Sequence, residues 1–281
     1  MCVVEAVVLL AAFPLPAGGG VAGRGAPARV LAPVSATSEG ESYRVALRRG
    51  LDRYLRGRGG EVAVSVREVG TGRAFSYNRG LRTATASVVK VDLVMALLLK
   101  AQRQHRGLTG RERRIAARAV QVSDNAAASA LWTAIGGGAG LAAANRRLGL
   151  RATRPGPGGA WGSTTTSADD QIRLLNALTS PASPLTARHR RYVLGLMSGV
   201  AREQRWGVSA AGHDVALKNG WLPRARHGGR WTVNSIGRVR SHGHTYLIAV
   251  ISERQPSMGA GIRTVEHVGE LVTRALATTG R

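Results

Sequence analysis

The stretch TASVVKVDLVMALLL, residues 85–99, decides how the rest of the chain is organised. From Val88 to Leu99 only Lys90 and Asp92 are polar. A helix that is apolar on nearly every side belongs in a protein core rather than on a surface. The sequence therefore predicts a buried helix here, around which the other elements pack.

The first turn of this predicted helix carries Ser87 and, three residues later, Lys90. Side chains at i and i+3 share one face of a helix. Burial disfavours the ammonium form, so Lys90 can act as a base, and the free N–H groups at a helix N-terminus suit a developing oxyanion. The alternative is structural, with Ser87 as an N-cap and Lys90 extending its amine to water. The pair alone leaves both interpretations open.

The composition indicates a globular protein whose basic residues are nearly all arginine. The 281 residues suffice for one large domain or two closely packed ones. Three of the 40 basic residues are lysine and 37 are arginine. The few lysines are expected at positions where a titratable amine is needed, because arginine does not lose its proton. The net charge of +24 could attract polyanions, but the arginines are dispersed and no nucleic-acid module is present, so no specific nucleic-acid partner is predicted.

Residues 1–40 differ from the rest and are predicted to be a signal peptide or a disordered leader. A short apolar run, 6–13, precedes a segment rich in Pro, Gly and Ala, as in a secretory signal, although Glu5 replaces the usual basic residues. The run is too short to span a bilayer. Cys2 is the only cysteine, so one chain can form no disulfide. We expect export, no metal or cofactor, and a folded domain over residues 41–281.

Periodicity and turn residues locate the other elements. Period-two alternation with a Gly-rich turn predicts a hairpin from 61–69 and 74–78, and Thr109 with Glu112 predicts a capping box. Ser167 is predicted to cap a helix in which Asp169 and Asp170 are structural. Further helices are predicted at 43–56, 126–135, 185–197 and 262–276, and further strands at 215–221, 231–236 and 245–251.

This order of elements predicts an α+β fold with three layers, α/β/α. Two strands precede the buried helix, and three antiparallel strands follow a long helical region, about residues 100–212. A single antiparallel sheet would then be assembled from both ends of the chain, with the helical region inserted between them.

Three short polar motifs border predicted core elements: Ser87-Val88-Val89-Lys90, Ser123-Asp124-Asn125 and Lys218-Asn219-Gly220. Each is weak alone, but their order and character together resemble the penicillin-recognising serine acyl-enzyme family, and most of all the class A β-lactamases. The resemblance covers about residues 41–281. It also includes the hairpin before the serine and the run of threonines at 164–166 before a helix.

The resemblance implies roles for the motif residues. Ser87 would be the nucleophile, Lys90 would take or position its proton, and Ser123 would relay a proton to the leaving amine. Asp124 would be structural. The substrate-binding residues that the resemblance implies are Asn125, Lys218, Asn219, Gly220 and Trp221. The backbone N–H groups of Ser87 and Trp221 would form the oxyanion hole. Asn234 and Ser235, on the next strand, would border the site that binds the substrate carboxylate.

Two departures from the family pattern bear on function. Asn219 stands where a Thr or Ser is usual, so the hydroxyl that helps to bind a substrate carboxylate is missing. The loop 151–163 contains no Glu or Asp, and no glutamate occurs between Glu112 and Glu203. The class A general base for hydrolysis of the acyl-enzyme is therefore absent.

The sequence thus predicts an exported, monomeric serine hydrolase that forms an acyl-enzyme at Ser87 with a β-lactam or a peptidoglycan-peptide-like substrate. Hydrolysis of β-lactams would be slow. A D-Ala-D-Ala-type carboxypeptidase or transpeptidase, an amidase or an esterase is the alternative within the same chemistry. A non-catalytic module that binds envelope peptides is the alternative from another class.

Overall fold

Five antiparallel strands form the central sheet of the protein, whose computed structural model describes residues 36–278. The predicted leader, 1–40, lies outside these residues except for 36–40, which already belong to the first helix. The strands are β1 (Glu61–Glu68), β2 (Ala74–Tyr77), β3 (Thr83–Ala84), β4 (Thr165–Thr166), β5 (His213–Pro223), β6 (Trp231–Ser241) and β7 (His244–Glu253).

Eight α-helices are described beside these strands. They are α1 (Ala36–Leu55), α2 (Val89–Arg103), α3 (Gly110–Gln121), α4 (Asn125–Ile135), α5 (Gly137–Arg147), α6 (Ala168–Thr179), α7 (Ala187–Ser198) and α8 (Met258–Thr278). Among residues 36–278, no single helix is both long enough and apolar enough to span a membrane. Helices α4 and α5, joined at a sharp bend, reach the required length and apolar content only when they are taken together.

The strand order in the sheet is β2-β1-β7-β6-β5. Strand β1, from the beginning of the fold, pairs with β7, from its end, and all pairs are antiparallel. The prediction of one sheet assembled from both chain ends, with helices inserted between, is confirmed. The short strands β3 and β4 form a separate pair.

Side chains on the two faces of the sheet enter two different cores. On β7, Tyr246, Ile248 and Val250 pack with α1 and α8, while Leu247 and Ala249 pack with α2 and the helices around it. This alternation follows from the period of two along a strand. Helices therefore cover both faces, and the predicted three-layer α/β/α architecture is confirmed.

Helix α2 is the buried helix that the sequence predicts. Val89 to Leu99 and Ala101 are all buried, and α2 packs against α3, α4, α5 and α7. Burying each large aliphatic side chain contributes about 1.5–3 kcal/mol. Burial raises the pKa of Asp92 to about 8, so this carboxyl holds its proton at neutral pH, and the amide of Asn145 donates to it. The polar side chain of Asp92 is thus accommodated inside the core.

Three elements, one helix and two short strands, are absent from the sequence prediction. Helix α5 begins immediately after α4, because Gly136 adopts a left-handed conformation (φ 93°) that ends one helix and starts the next. Its first residues include three glycines, which are poor helix formers, and burial of Leu141 and Ala144 stabilises it instead. Strands β3 and β4 have two residues each, which is too short for a period-two pattern.

Asn234 on β6 connects the sheet to the segment that precedes Ser87. Its amide N–H groups donate to the carbonyl oxygens of Ala84 (2.8 Å) and Thr85 (3.1 Å), and its carbonyl accepts from the N–H of Ser252 (3.0 Å). The side chain is fully buried, so water cannot replace these bonds. The Asn234 side chain therefore bonds to the main chain of the neighbouring segments and does not face a cleft.

We predict that Asn234→Ala lowers the free energy of unfolding by about 3 kcal/mol, because it removes three buried hydrogen bonds between the Asn234 amide and main-chain groups. Denaturant unfolding measures this loss. Asn176→Ala, at a half-exposed position on α6, is the matched control and should change stability by less than about 0.5 kcal/mol. Equal effects of the two substitutions would contradict this role of Asn234.

Candidate active site

Ser87 lies in a short 3-10 turn, Ala86–Val88, directly before α2. Val88 is the N-cap of α2 and forms no side-chain capping bond, so Ser87 does not cap the helix. Ala86 has a φ of 47°, a left-handed conformation that is strained for a residue with a side chain. The half-buried Ser87 hydroxyl is thus held at the helix entrance without a capping role.

The Lys90 amine, fully buried, points toward the turn between α3 and α4. It donates hydrogen bonds to the carbonyl oxygen of Ser123, to Ser123 Oγ (3.2 Å) and to Asn125 Oδ1 (2.8 Å). None of these three bonds goes to Ser87. The predicted alternative, in which Lys90 extends its amine to water, does not occur.

Ser123 Oγ lies between two lysines. Lys90 Nζ is 3.2 Å from it, and Lys218 Nζ, which comes from β5, donates to it at 3.0 Å. Ser123 has a φ of 59°, which again is left-handed. Because both lysines donate to Ser123 Oγ, its own proton remains available for a third group. The arrangement suits a hydroxyl that passes a proton on.

Both amines are easier to deprotonate than an ordinary lysine. Burial lowers the pKa of Lys90 to about 8, although the Asp124 carboxylate opposes the shift. Burial also lowers the pKa of Lys218 to about 7, and the positive charge of Lys90 adds to that effect. Since the amines share one hydroxyl, their titrations are linked. Near neutral pH the site therefore contains an amine that can accept a proton.

Asn125 and Asp124 begin α4, next to Lys90. Asp124 is the N-cap of this helix, and its carboxylate accepts from the N–H of Ala127 at 2.7 Å. It also pairs with Arg118 on α3. Asp124 therefore has the structural position that the sequence predicts, while the Asn125 side chain contacts the Lys90 amine.

Lys218 and Asn219 are adjacent on β5 and point to opposite faces of the sheet. Lys218 reaches Ser123, whereas the amide of Asn219 donates to the carbonyl oxygens of Gln204 (2.8 Å) and Trp206 (2.9 Å). Both donors of this buried amide are therefore used by main chain. The structure brings Lys218 into the predicted cluster and directs the side chain of Asn219 away from it.

Gly220 lets β5 approach the nucleophile. A Cβ at this position would lie 2.6 Å from the Ser87 nitrogen and 2.8 Å from the Thr85 carbonyl oxygen, which real side chains do not tolerate. β5 is also an edge strand, so one row of its main-chain groups is free of the sheet. Trp221, next in the strand, is half-buried and packs its ring against Trp206, with centroids 5.7 Å apart.

Trp161 is the site residue that motif reasoning misses. Its ring centroid lies 5.0 Å from Lys90 Nζ, in the loop 151–163 where the family pattern leads us to expect a glutamate. The family pattern has a carboxylate in this loop, and no motif marks a lone tryptophan. Within residues 36–278, no group of three or more His, Cys, Asp or Glu side chains could hold a metal ion.

Comparisons with known proteins show the family and the fold of the chain. A family model described as "Beta-lactamase enzyme family" matches residues 102–276. The chain is 28% identical over 228 residues to "Putative lipoprotein LppW" of Mycobacterium tuberculosis and of Mycobacterium bovis, a match that covers 78% of this chain and 69% of theirs.

Solved structures are similar in fold at low sequence identity. A class A β-lactamase from Bacteroides cellulosilyticus has a TM-score of 0.73 at 16% identity, covering 84% of this chain and 99% of its own. A PBP-A variant, solved as an acyl-enzyme complex with penicillin G, has a TM-score of 0.71 at 18% identity, covering 83% and 97%.

The fold is thus that of the class A β-lactamase-like serine hydrolases, as the motifs predict. The chain belongs to the β-lactamase enzyme family, because the family model matches more than half of its residues.

We predict that Gly220→Ala destabilises the protein by about 1–3 kcal/mol, because the added methyl group overlaps main chain beside Ser87. Thermal unfolding measures the change. Gly195→Ala in α7 is the matched control, since a Cβ there meets no atom within 4 Å, and it should leave stability unchanged or slightly higher. A Gly220→Ala variant as stable as wild type would be inconsistent with the close approach of β5.

Proposed function

We propose that the protein is a serine hydrolase that forms an acyl-enzyme at Ser87. The observation that carries the proposal is Ser123 Oγ, which accepts hydrogen bonds from two buried lysines close to the turn that holds Ser87. A structural role alone gives no reason to bury two amines around one hydroxyl, because each loses hydration. A non-catalytic binding module would not need this arrangement either.

In the proposed reaction, Ser87 Oγ attacks the carbonyl carbon of an amide, and its proton passes to the neutral Lys90 amine. The oxyanion would be stabilised by the main-chain N–H groups of Ser87 and Trp221, a proposal supported by the close packing of Gly220, the neighbour of Trp221, on the Ser87 nitrogen. The carbon–nitrogen bond then breaks, and Ser123 Oγ delivers a proton to the leaving nitrogen while Lys90 restores its own. The product is an ester at Ser87.

The substrate that fits is a β-lactam or a peptidoglycan-peptide-like amide that carries a carboxylate. Lys218 would attract that carboxylate, and the free edge of β5 would pair with an extended substrate backbone. The Asn219 amide is engaged by main chain, so it would not replace the missing hydroxyl in carboxylate binding. Asn125 would contact the amide on the other side of the cleft.

The second step is proposed to be slow with β-lactams. The loop 151–163 has no carboxylate that could activate water. This absence favours a D-Ala-D-Ala-type peptidase, an amidase or an esterase as the alternative activity. The PBP-A structure supports the idea that this fold can hold a penicillin acyl-enzyme long enough to be observed.

We also propose that the protein is exported to the cell envelope and acts as a monomer without cofactors. The apolar run at 6–13 supports export, and so does the name lipoprotein given to the mycobacterial relatives. The signal peptide over residues 1–40 and the catalytic domain over residues 41–281 are part of the same proposal.

Ser87→Ala is predicted to abolish labelling by a penicillin, because no other group would supply the attacking oxygen. Intact mass spectrometry after incubation with penicillin G should show one added penicillin on wild type and none on the variant. Ser257→Ala, at an exposed position outside the site, is the control and should label like wild type. Labelling of Ser87→Ala at the wild-type rate would reject the assignment.

The acylation rate is predicted to rise with pH between about 6 and 8, since the pKa of Lys90 is lowered to about 8 and its neutral amine is the active form. Stopped-flow or quenched mass measurements across this range give the profile. Lys90→Arg stays charged and should lose about 100-fold or more.

Lys100→Arg is the matched control for this pH profile, because Lys100 is the third lysine and its amine bonds the Ala134 carbonyl oxygen outside the cluster. It should retain the wild-type profile. A wild-type rate that does not change over pH 6–8 would exclude a neutral amine as the base.

A further inference from the structure

Trp161 covers the buried amine of Lys90 on the side of the loop 151–163. The ring centroid is 5.0 Å from Lys90 Nζ, and the indole N–H donates to Ser129 Oγ at 3.1 Å. Trp161 begins a 3-10 turn, Trp161–Ser163, which packs against the turn 86–88 that carries Ser87. One tryptophan is therefore adjacent to both the nucleophile turn and the amine.

The end of the loop nearest Ser87 is fixed by main-chain bonds. The N–H of Thr85 donates to the carbonyl oxygen of Thr164 at 2.7 Å, and β3 continues this contact by pairing with β4. Gly156 donates to Thr164 Oγ1 at 3.1 Å, and a Cβ on Gly156 would lie 2.1 Å from the Ala160 carbonyl oxygen. The loop is thus folded tightly onto the strand that leads to the nucleophile.

The beginning of the loop is fixed by Asp170 of α6. Its carboxylate accepts from the N–H groups of Arg151 (3.0 Å) and Ala152 (2.7 Å) and from Thr153 Oγ1 (2.8 Å). These bonds and the salt bridge to Arg173 hold the pKa of Asp170 below its usual range, so the carboxylate stays charged at neutral pH. With both ends held, the position of Trp161 is set by the fold.

We propose that Trp161 is a positioning residue that shields the Ser87 acyl ester from hydrolysis, an inference that rests on the proposed acyl-enzyme. Hydrolysis requires a water oxygen to bond to the acyl carbon while its proton moves to a base, after which the ester bond to Ser87 Oγ breaks and Oγ regains a proton. In this loop the residue that faces the amine, with its ring centroid 5.0 Å from Lys90 Nζ, is an apolar indole, which cannot act as a base toward water.

The consequence is that the fold separates acylation from release. In the proposed reaction acylation uses Ser87, Lys90 and Ser123, and the hydrogen bond from Lys90 to Ser123 Oγ does not involve the indole. Release by water depends on access to the side of Lys90 that Trp161 covers. Removing the indole should therefore speed release while leaving the acylation machinery in place.

The test follows the penicillin G acyl-enzyme by intact mass spectrometry after free penicillin is removed. Trp161→Ala should increase the deacylation rate constant about tenfold or more and change the acylation rate constant by less than about threefold. Trp161→Phe keeps an aromatic ring and Ser129→Ala releases only its hydrogen bond, so each should increase deacylation about two- to threefold. Trp132→Ala removes another half-buried indole of the helical region and should have no effect on deacylation.

The outcomes separate this inference from the proposed function. If wild type is never acylated, the proposed function fails. If wild type is acylated but Trp161→Ala and Ser129→Ala release the acyl group at the wild-type rate, only the shielding role is overturned. Should Trp161→Ala fold poorly, as judged by thermal unfolding, the exposed Ser129→Ala substitution decides, because it leaves the indole in place and unanchored.

Discussion

The burial of two lysine amines around one serine hydroxyl is the interaction on which the rest of this structure depends. Lys90 comes from α2 and Lys218 from β5, and both donate to Ser123 between α3 and α4. Burial disfavours both ammonium forms, and the charge of Lys90 further lowers the pKa of Lys218, so this arrangement is stable only if the surrounding core holds it. Helix α2, buried on nearly all sides, and the central sheet provide that support.

Several structural features serve to hold the short segment before Ser87 in place. Asn234 ties it to β6, β4 pairs with β3, and the missing side chain of Gly220 allows β5 to pack directly on it. The left-handed backbone at Ala86 and Ser123 adds local strain of about 1–3 kcal/mol each, which the core offsets. Such strain is common where a fold fixes reactive groups rather than maximising stability.

Much of the fold and the identity of the three polar motifs at the site could be predicted from the sequence. The apolar pattern of residues 88–99 predicts the buried helix, and period-two alternation predicts β1, because both patterns reflect burial directly. The segments that form β5, β6 and β7 are predicted as three antiparallel strands separated by turns. The roles of Asn219 and Trp161 could not be predicted. Whether the Asn219 amide meets a substrate or the carbonyl oxygens of Gln204 and Trp206 depends on the path of a distant loop.

By itself, the sequence determined the identity and order of the polar motifs, the helix that buries Lys90, and the absence of a carboxylate in the loop 151–163. Only the tertiary structure decided that Lys90 and Lys218 share the Ser123 hydroxyl, and that Trp161 covers the amine where a base would act. The physical reason is that local patterns record which residues are buried, whereas hydrogen bonds between residues 33 to 95 positions apart exist only once the layers have packed.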